Sequence, residues 1–206
     1  DFLLIEERQN GLRKLRIKTE NEERYISFEE ETYFLGLGVN DSYDATDIFY
    51  TYNSMTTPSR VYRYSVLTGE QAIWFEKKLL DPNFDSTDYQ SERIWALAND
   101  GTHIPVTFVY KKGIDLAKAP CLLYGYGSYG YTLPDVFSAK RVSLLNRGFI
   151  YAVAHIRGGG ELGKEWHDQG KMMLKKNTFT DFIACAEYLI SSGDTTAERL
   201  IITGGS

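Results

Sequence analysis

Three shortages in this sequence each close off a class of function. No block of Lys and Arg occurs among its 206 residues, and the net charge is −5. An acidic chain without a basic stripe is poorly suited to nucleic acid or to an anionic membrane surface. No apolar run approaches the roughly 20 residues that a membrane-spanning helix needs. Cysteine occurs only at Cys121 and Cys185, far apart in the chain. The expectation is a cytoplasmic protein with two ordinary buried thiols, no nucleic-acid or membrane partner, and no metal or cofactor.

What is present supports a sizeable core, since 43% of the residues are hydrophobic, with 15 Tyr and 11 Phe. That suits one large domain or two smaller ones. Over residues 1–78, candidate strands at 2–7, 12–18, 33–38, 48–53, 60–66 and 72–76 alternate with turn signals such as Asn10-Gly11 and Thr68-Gly69. Their spacing and their β-branched and aromatic content predict antiparallel sheet. Residues 60–71 have the strand–turn–strand form of a propeller blade's outer hairpin. A four-stranded blade needs roughly 40–50 residues, which leaves room for one to two blades. Pattern alone leaves any antiparallel sheet or sandwich open.

Residues 79–91 are polar and turn-rich and read as a linker. Beyond them, strands 92–98 and 104–110 flank the hairpin signal Asn99-Asp100-Gly101-Thr102. Then come strand 120–125, helix 136–147, strand 149–155, helices 162–174 and 178–191, and strand 199–203. A hairpin leading into alternating strand and helix predicts a sheet that is parallel beyond its first strands. That order matches the opening half of an α/β-hydrolase. The reading is two domains, 1–78 and 79–206, each a truncated piece of a larger unit, because the chain opens inside an apolar run and ends in a turn after Leu200-Ile201-Ile202.

The chemistry-bearing stretches follow strands. Gly204-Gly205-Ser206 is the first half of the G-x-S-x-G turn on which α/β-hydrolases carry a nucleophile, and it is also ordinary loop composition. Gly125, Gly127 and Gly130 fit G-x-G-x-x-G, the dinucleotide-binding pattern. Against that reading, residues 131–134 separate the last glycine from any helix, the next strand closes on His155 rather than an acid, and the first strands form a hairpin. The alternative is a loop in which glycines let a tyrosine hydroxyl serve an oxyanion. Residues 156–163 hold three more glycines without the Gly-Lys-Ser/Thr of a P-loop, and Arg157 and Glu161 are expected to pair and brace that loop. His103 and His167 read as surface or packing residues. His155 sits at a strand's carboxyl end, but the triad order Ser…Asp…His puts the base after residue 206.

Four ordered blocks, LYGYGSYG at 123–130, RGFIYAVAHIRGGGELG at 147–163, KKNTFTD at 175–181 and GGS at 204–206, resemble the prolyl oligopeptidase family. YNSMTTP at 52–58 and SERIWA at 91–96 are similar to its oligopeptidase B branch. The resemblance implies a β-propeller capping an α/β-hydrolase domain and a serine peptidase of short peptides, cleaving after Arg or Lys. It makes Ser206 the nucleophile, Tyr126 a hydroxyl donor to the oxyanion hole, and Tyr129 an aromatic lining of the substrate site. Asp135 falls where some members carry acids for a second basic residue. The catalytic Asp and His are expected beyond residue 206, so these residues alone are expected to be inactive. Post-proline specificity, an acyl-peptide hydrolase or esterase relative, and a non-catalytic binding module are the alternatives.

Overall fold

The computed structural model describes residues 1–205; Ser206 lies outside the described residues. The chain divides into two compact units, residues 1–86 with 134–137, and residues 87–133 with 138–206. The division falls between Ser86 and Thr87 rather than at 78/79, and the short segment 134–137 packs with the first unit.

The first unit is all antiparallel strand. One sheet joins β1 (Phe2–Gln9), β2 (Leu12–Thr19) and β3 (Glu23–Tyr25). A second is a four-stranded meander of β4 (Phe34–Leu37), β5 (Asp47–Asn53), β6 (Arg60–Ser65) and β7 (Gln71–Glu76). The Asn10-Gly11 turn sets the first hairpin, pairing Gln9 with Leu12. On β5 the period-two alternation is explicit, with Ile48, Tyr50 and Tyr52 buried on one face. Both sheets feed one core, where Leu15 and Ile17 of β2 meet Leu35, Tyr50 and Tyr64. Rings stack within it, Tyr50 on Tyr62 at 5.3 Å and Phe28 on Tyr52 at 4.4 Å. Burial of that apolar surface stabilises the unit at about 25 cal/mol per Å². Segment 134–137 is held by a hydrogen bond from the Phe137 amide to the Asn53 side-chain oxygen, 2.7 Å.

The second unit is a mixed five-stranded sheet. Its strands are β8 (Tyr89–Leu97), β9 (His103–Lys111), β10 (Cys121–Gly125), β11 (Ile150–Ala154) and β12 (Leu200–Gly204). They lie in the order β12-β10-β11-β9-β8, antiparallel between β8, β9 and β11 and parallel among β11, β10 and β12. Helix α1 (Ala139–Leu145) connects β10 to β11, and α2 (Lys164–Asp168) and α3 (Lys176–Ser191) connect β11 to β12. Helix α3 buries Thr178, Asp181, Ala184, Cys185 and Leu189, the spacing of one helical stripe. Together these elements are the first half of an α/β-hydrolase sheet, preceded by propeller strands.

Two helices are shorter than the sequence pattern suggests. α1 starts at Ala139, because Ser138 is extended and 134–137 belongs to the first unit. The expected helix 162–174 is α2, which ends at Asp168, and a separate 3-10 turn at Met172–Leu174, whose first residue adopts φ +47°.

Candidate active site

The register of the sheet sets the site. Gly125 of β10 pairs with Gly204 of β12 and with Ala154 of β11, so three parallel strands end at one level. Loops leaving those ends meet above the sheet's carboxyl edge, where α/β sheets place their ligands. The glycine loop 125–131 and the loop 156–163 are pressed together through main chain. The Gly130 amide donates to the Gly158 carbonyl at 3.0 Å, and the Gly160 amide to the Tyr131 carbonyl at 3.3 Å. Gly158 has φ +97°, and a Cβ there would overlap the Gly127 carbonyl oxygen. A Cβ on Gly127 would lie 2.5 Å from the Thr178 methyl and 2.8 Å from the Arg157 carbonyl. These glycines are needed for close approach of backbone to backbone, not for a phosphate.

Side chains from α2, α3 and the turn before α3 take up the carbonyls of both loops. Thr178 Oγ1 donates to Arg157 O at 2.7 Å, Trp166 Nε1 to His155 O at 3.1 Å, and Lys175 Nζ to Gly127 O and, at 2.9 Å, to Ser128 Oγ. Burial lowers the pKa of Lys175 below the ordinary lysine value.

The expected pairing of Arg157 with Glu161 is not formed. Arg157 turns to α3, where Asp181 receives Nε at 2.8 Å and Nη2 at 2.5 Å, and its Nη1 reaches Asp100 at 2.7 Å in the β8–β9 hairpin. These bonds raise the Arg157 pKa, that of Asp181 first, and the guanidinium holds Asp100 down at about 2. Glu161 instead lies 3.7 Å from Arg93 and 3.4 Å from the His155 ring. Planar bidentate geometry and a partner that satisfies both carboxylate oxygens favour Asp181 over a neighbour four residues along a loop.

His155 is 2% exposed, with Nε2 2.9 Å from Thr107 Oγ1. A ring enclosed this way braces the sheet and does not reach a substrate. His167 Nδ1 lies 2.9 Å from the Gly158 carbonyl, and His103 is an exposed strand residue. Both thiols are free and buried, and burial pushes Cys121 up to about 12. Among the described residues no group of three or more His, Cys, Asp and Glu could hold a metal ion, and no helix is long and apolar enough to cross a membrane.

Tyr126 is half-buried and meets Tyr131 edge-on at 6.0 Å. Its hydroxyl makes no hydrogen bond to another described residue. It lines two cavities of the second unit. One, of about 430 Å³, also takes in Lys175, Phe179, Phe182, Ile202 and Gly205. The other, about 510 Å³, is walled by Tyr124, Tyr129 and Tyr131. Tyr129 is 86% exposed in the left-handed region, φ +59°, a strained backbone for a residue with a side chain. Asp135 lines neither cavity; it is 5% exposed and lies in the segment that packs with the first unit. Ser206 falls outside the described residues, one residue beyond Gly205. Lys175, Thr178, Asp181 and Asp100 carry the site's framework without having been singled out for it by pattern.

Two family descriptions match this chain. Residues 135–206 match the prolyl oligopeptidase family, and residues 1–77 match the N-terminal β-propeller domain of prolyl oligopeptidase. The chain belongs to the prolyl oligopeptidase family. Its whole length is 44% identical to dipeptidyl aminopeptidase BI of Pseudoxanthomonas mexicana, covering 28% of that protein. It is 36% identical to protease 2 of Moraxella lacunata, covering 30%. Among solved structures, oligopeptidase B of Trypanosoma brucei, with covalently bound antipain, superposes with a TM-score of 0.87 at 39% identity, over 98% of this chain and 30% of that one. The chain thus spans under a third of the length of these relatives.

Proposed function

We propose that the intact protein is a serine oligopeptidase that cleaves short peptides after Arg or Lys through an acyl-enzyme. Ser206 Oγ attacks the peptide carbonyl carbon, and a histidine later in the intact protein takes its proton and passes it to the leaving amine. The Tyr126 hydroxyl donates to the oxygen as it becomes an oxyanion. Tyr129 lies along the peptide, and Asp135 is assigned to a second basic residue of the substrate. The supporting observation is the convergence on one cavity of Tyr126, directly after β10, and Gly205, the residue before Ser206. The covalently bound antipain of the T. brucei relative favours an enzyme that forms covalent adducts. Two buried free thiols support a reducing, cytoplasmic setting.

Prolyl endopeptidases are also relatives, that of Elizabethkingia meningoseptica being 40% identical over 161 residues, so the residue before the scissile bond is the point to test. Fluorogenic peptides differing only in Arg, Lys or Pro at that position are compared on the intact protein and on its Ser206→Ala variant. The expected result is turnover of the Arg and Lys peptides at least about tenfold above Pro in kcat/KM, about 1.4 kcal/mol, abolished by Ser206→Ala. Preference for Pro overturns the specificity, and turnover unchanged by Ser206→Ala overturns the mechanism. No turnover of any peptide returns the protein to a binding role.

A further inference from the structure

Lys175 is placed where a lysine is electrostatically expensive. It is the N-cap residue of α3, whose sixteen residues present the positive end of their dipole there. Lys176 adds a second cation next to it, and an ammonium, having no acceptor, cannot cap the helix's free amides. Burial further disfavours its charge, and among the described residues it has no carboxylate partner. What it does have is the glycine loop. Nζ donates to the Gly127 carbonyl and to Ser128 Oγ, the latter at 2.9 Å.

The Gly127 carbonyl depends on that contact. Thr178 Oγ1 lies 3.5 Å from it, but the same hydroxyl is 2.7 Å from Arg157 O and 3.1 Å from Gly170 O. A hydroxyl carries one hydrogen, and the shortest contact claims it. The principal donor to Gly127 O is therefore the Lys175 ammonium. Gly127 directly follows Tyr126, and it leaves no room for a side chain, since a Cβ there would meet the Thr178 methyl and the Arg157 carbonyl. On its other side the Tyr126 ring rests edge-on against Tyr131. Lys175 and Tyr126 line the same cavity.

We infer that Lys175 is a positioning residue for catalysis: by fixing the Gly127 carbonyl it holds the Tyr126 hydroxyl where the oxyanion forms. The inference rests on the reading of Tyr126 as that donor. A donor gains its effect from being held in place before charge develops, so a loop released by even about 1 Å loses up to about 100-fold in rate. Substrate binding, which does not use the oxyanion, is left alone.

The test is a double-mutant cycle in the intact protein, with whichever of the Arg, Lys or Pro fluorogenic peptides it cleaves fastest. Lys175→Met is expected to lower kcat about 10- to 100-fold with KM within about twofold. Lys175→Arg, which keeps a donor, is expected to stay within about threefold of wild type. In a Tyr126→Phe background, Lys175→Met should cost less than about threefold more, because the group it positions is gone. If Lys175→Met does not fold, as judged by its thermal transition, Lys175→Gln takes its place in the cycle. A silent Tyr126→Phe sinks the oxyanion reading and this inference with it. A costly Tyr126→Phe, together with a Lys175 variant that is silent or equally costly in both backgrounds, sinks the inference alone.

Discussion

Arg157 and Asp181 meet as a bidentate pair, with Nε and Nη2 on the two carboxylate oxygens at 2.8 and 2.5 Å and the Arg157 amide on one of them at 3.0 Å. Both side chains are buried, at 4% and 0% exposure. Removing one partner leaves the other as an uncompensated charge, so Arg157→Met or Asp181→Ala is expected to cost about 3–5 kcal/mol. Lys cannot reproduce the planar fork, and Arg157→Lys is expected to recover less than half of that loss. Urea unfolding of the intact protein measures it; Lys within about 0.5 kcal/mol of wild type would mean that charge alone is needed.

Asp100 ties the same arginine to the β8–β9 hairpin, and the Arg157 bond lowers its pKa from 3.8 to about 2. A depressed carboxylate pKa contributes stability above the unfolded value that is lost as pH falls through the folded one. The expected window is therefore pH 4 down to 2. Asp100→Asn should flatten the fall of the melting temperature across it, while leaving the melting temperature at pH 7 lower than wild type. The side chain is half exposed, so the effect is modest and weakens with salt. Parallel curves for the two proteins between pH 4 and 2 would remove Asp100 as a contributor.

Tyr126→Phe removes one hydroxyl and little volume. As an oxyanion donor that hydroxyl is worth about 3–4 kcal/mol in the transition state and little in the ground state. Steady-state kinetics of the intact protein should show kcat reduced by a factor of about 100 or more, with KM nearly unchanged. A change of kcat/KM under about threefold, less than 1 kcal/mol, would reduce Tyr126 to a packing residue.

Gly158→Ala tests the contact between the two loops. Positive φ alone costs a residue with a Cβ about 1–2 kcal/mol. Gly113, with φ +84° and open space around its missing Cβ, supplies the control, since Gly113→Ala meets that strain and nothing else. Gly158→Ala should destabilise by more than Gly113→Ala and also lower kcat, because the new methyl must displace the Gly127 carbonyl. Equal losses of stability at the two positions, with kcat intact, would show that the loops have room to part.

The pattern of residues shows the succession of strands and helices along the chain better than it shows the site. Ile48, Tyr50 and Tyr52 alternate in sequence as they do in burial, and Gly204 closes an apolar strand with its pairing to Gly125. Such periodic signals are local, and local signals are legible. The three-residue β3, Glu-Arg-Tyr, is too short and polar to have one. Closeness in sequence points Arg157 to Glu161, whereas its partners lie 24 and 57 residues away. The helix expected over 162–174 fails at Gly170, whose backbone packs on that of Gly158, a constraint that no pattern within the segment reveals. Lys175 opens the KKNTFTD block, but only the fold shows that it faces the Gly127 carbonyl.

The seam between the glycine loop and the 156–163 loop is made by amides and carbonyls on both sides. Such a seam is blind to the identity of the rings it carries. Tyr129 and Tyr131, exposed beside it, can be exchanged for other residues without unpicking a bond of the seam, and each exchange redraws the wall of the aromatic cavity. Gly127 and Gly158 have no comparable freedom, since any side chain at either one pushes backbone from backbone. Divergence in what this site accepts therefore has an open route through the rings and a closed one through the glycines.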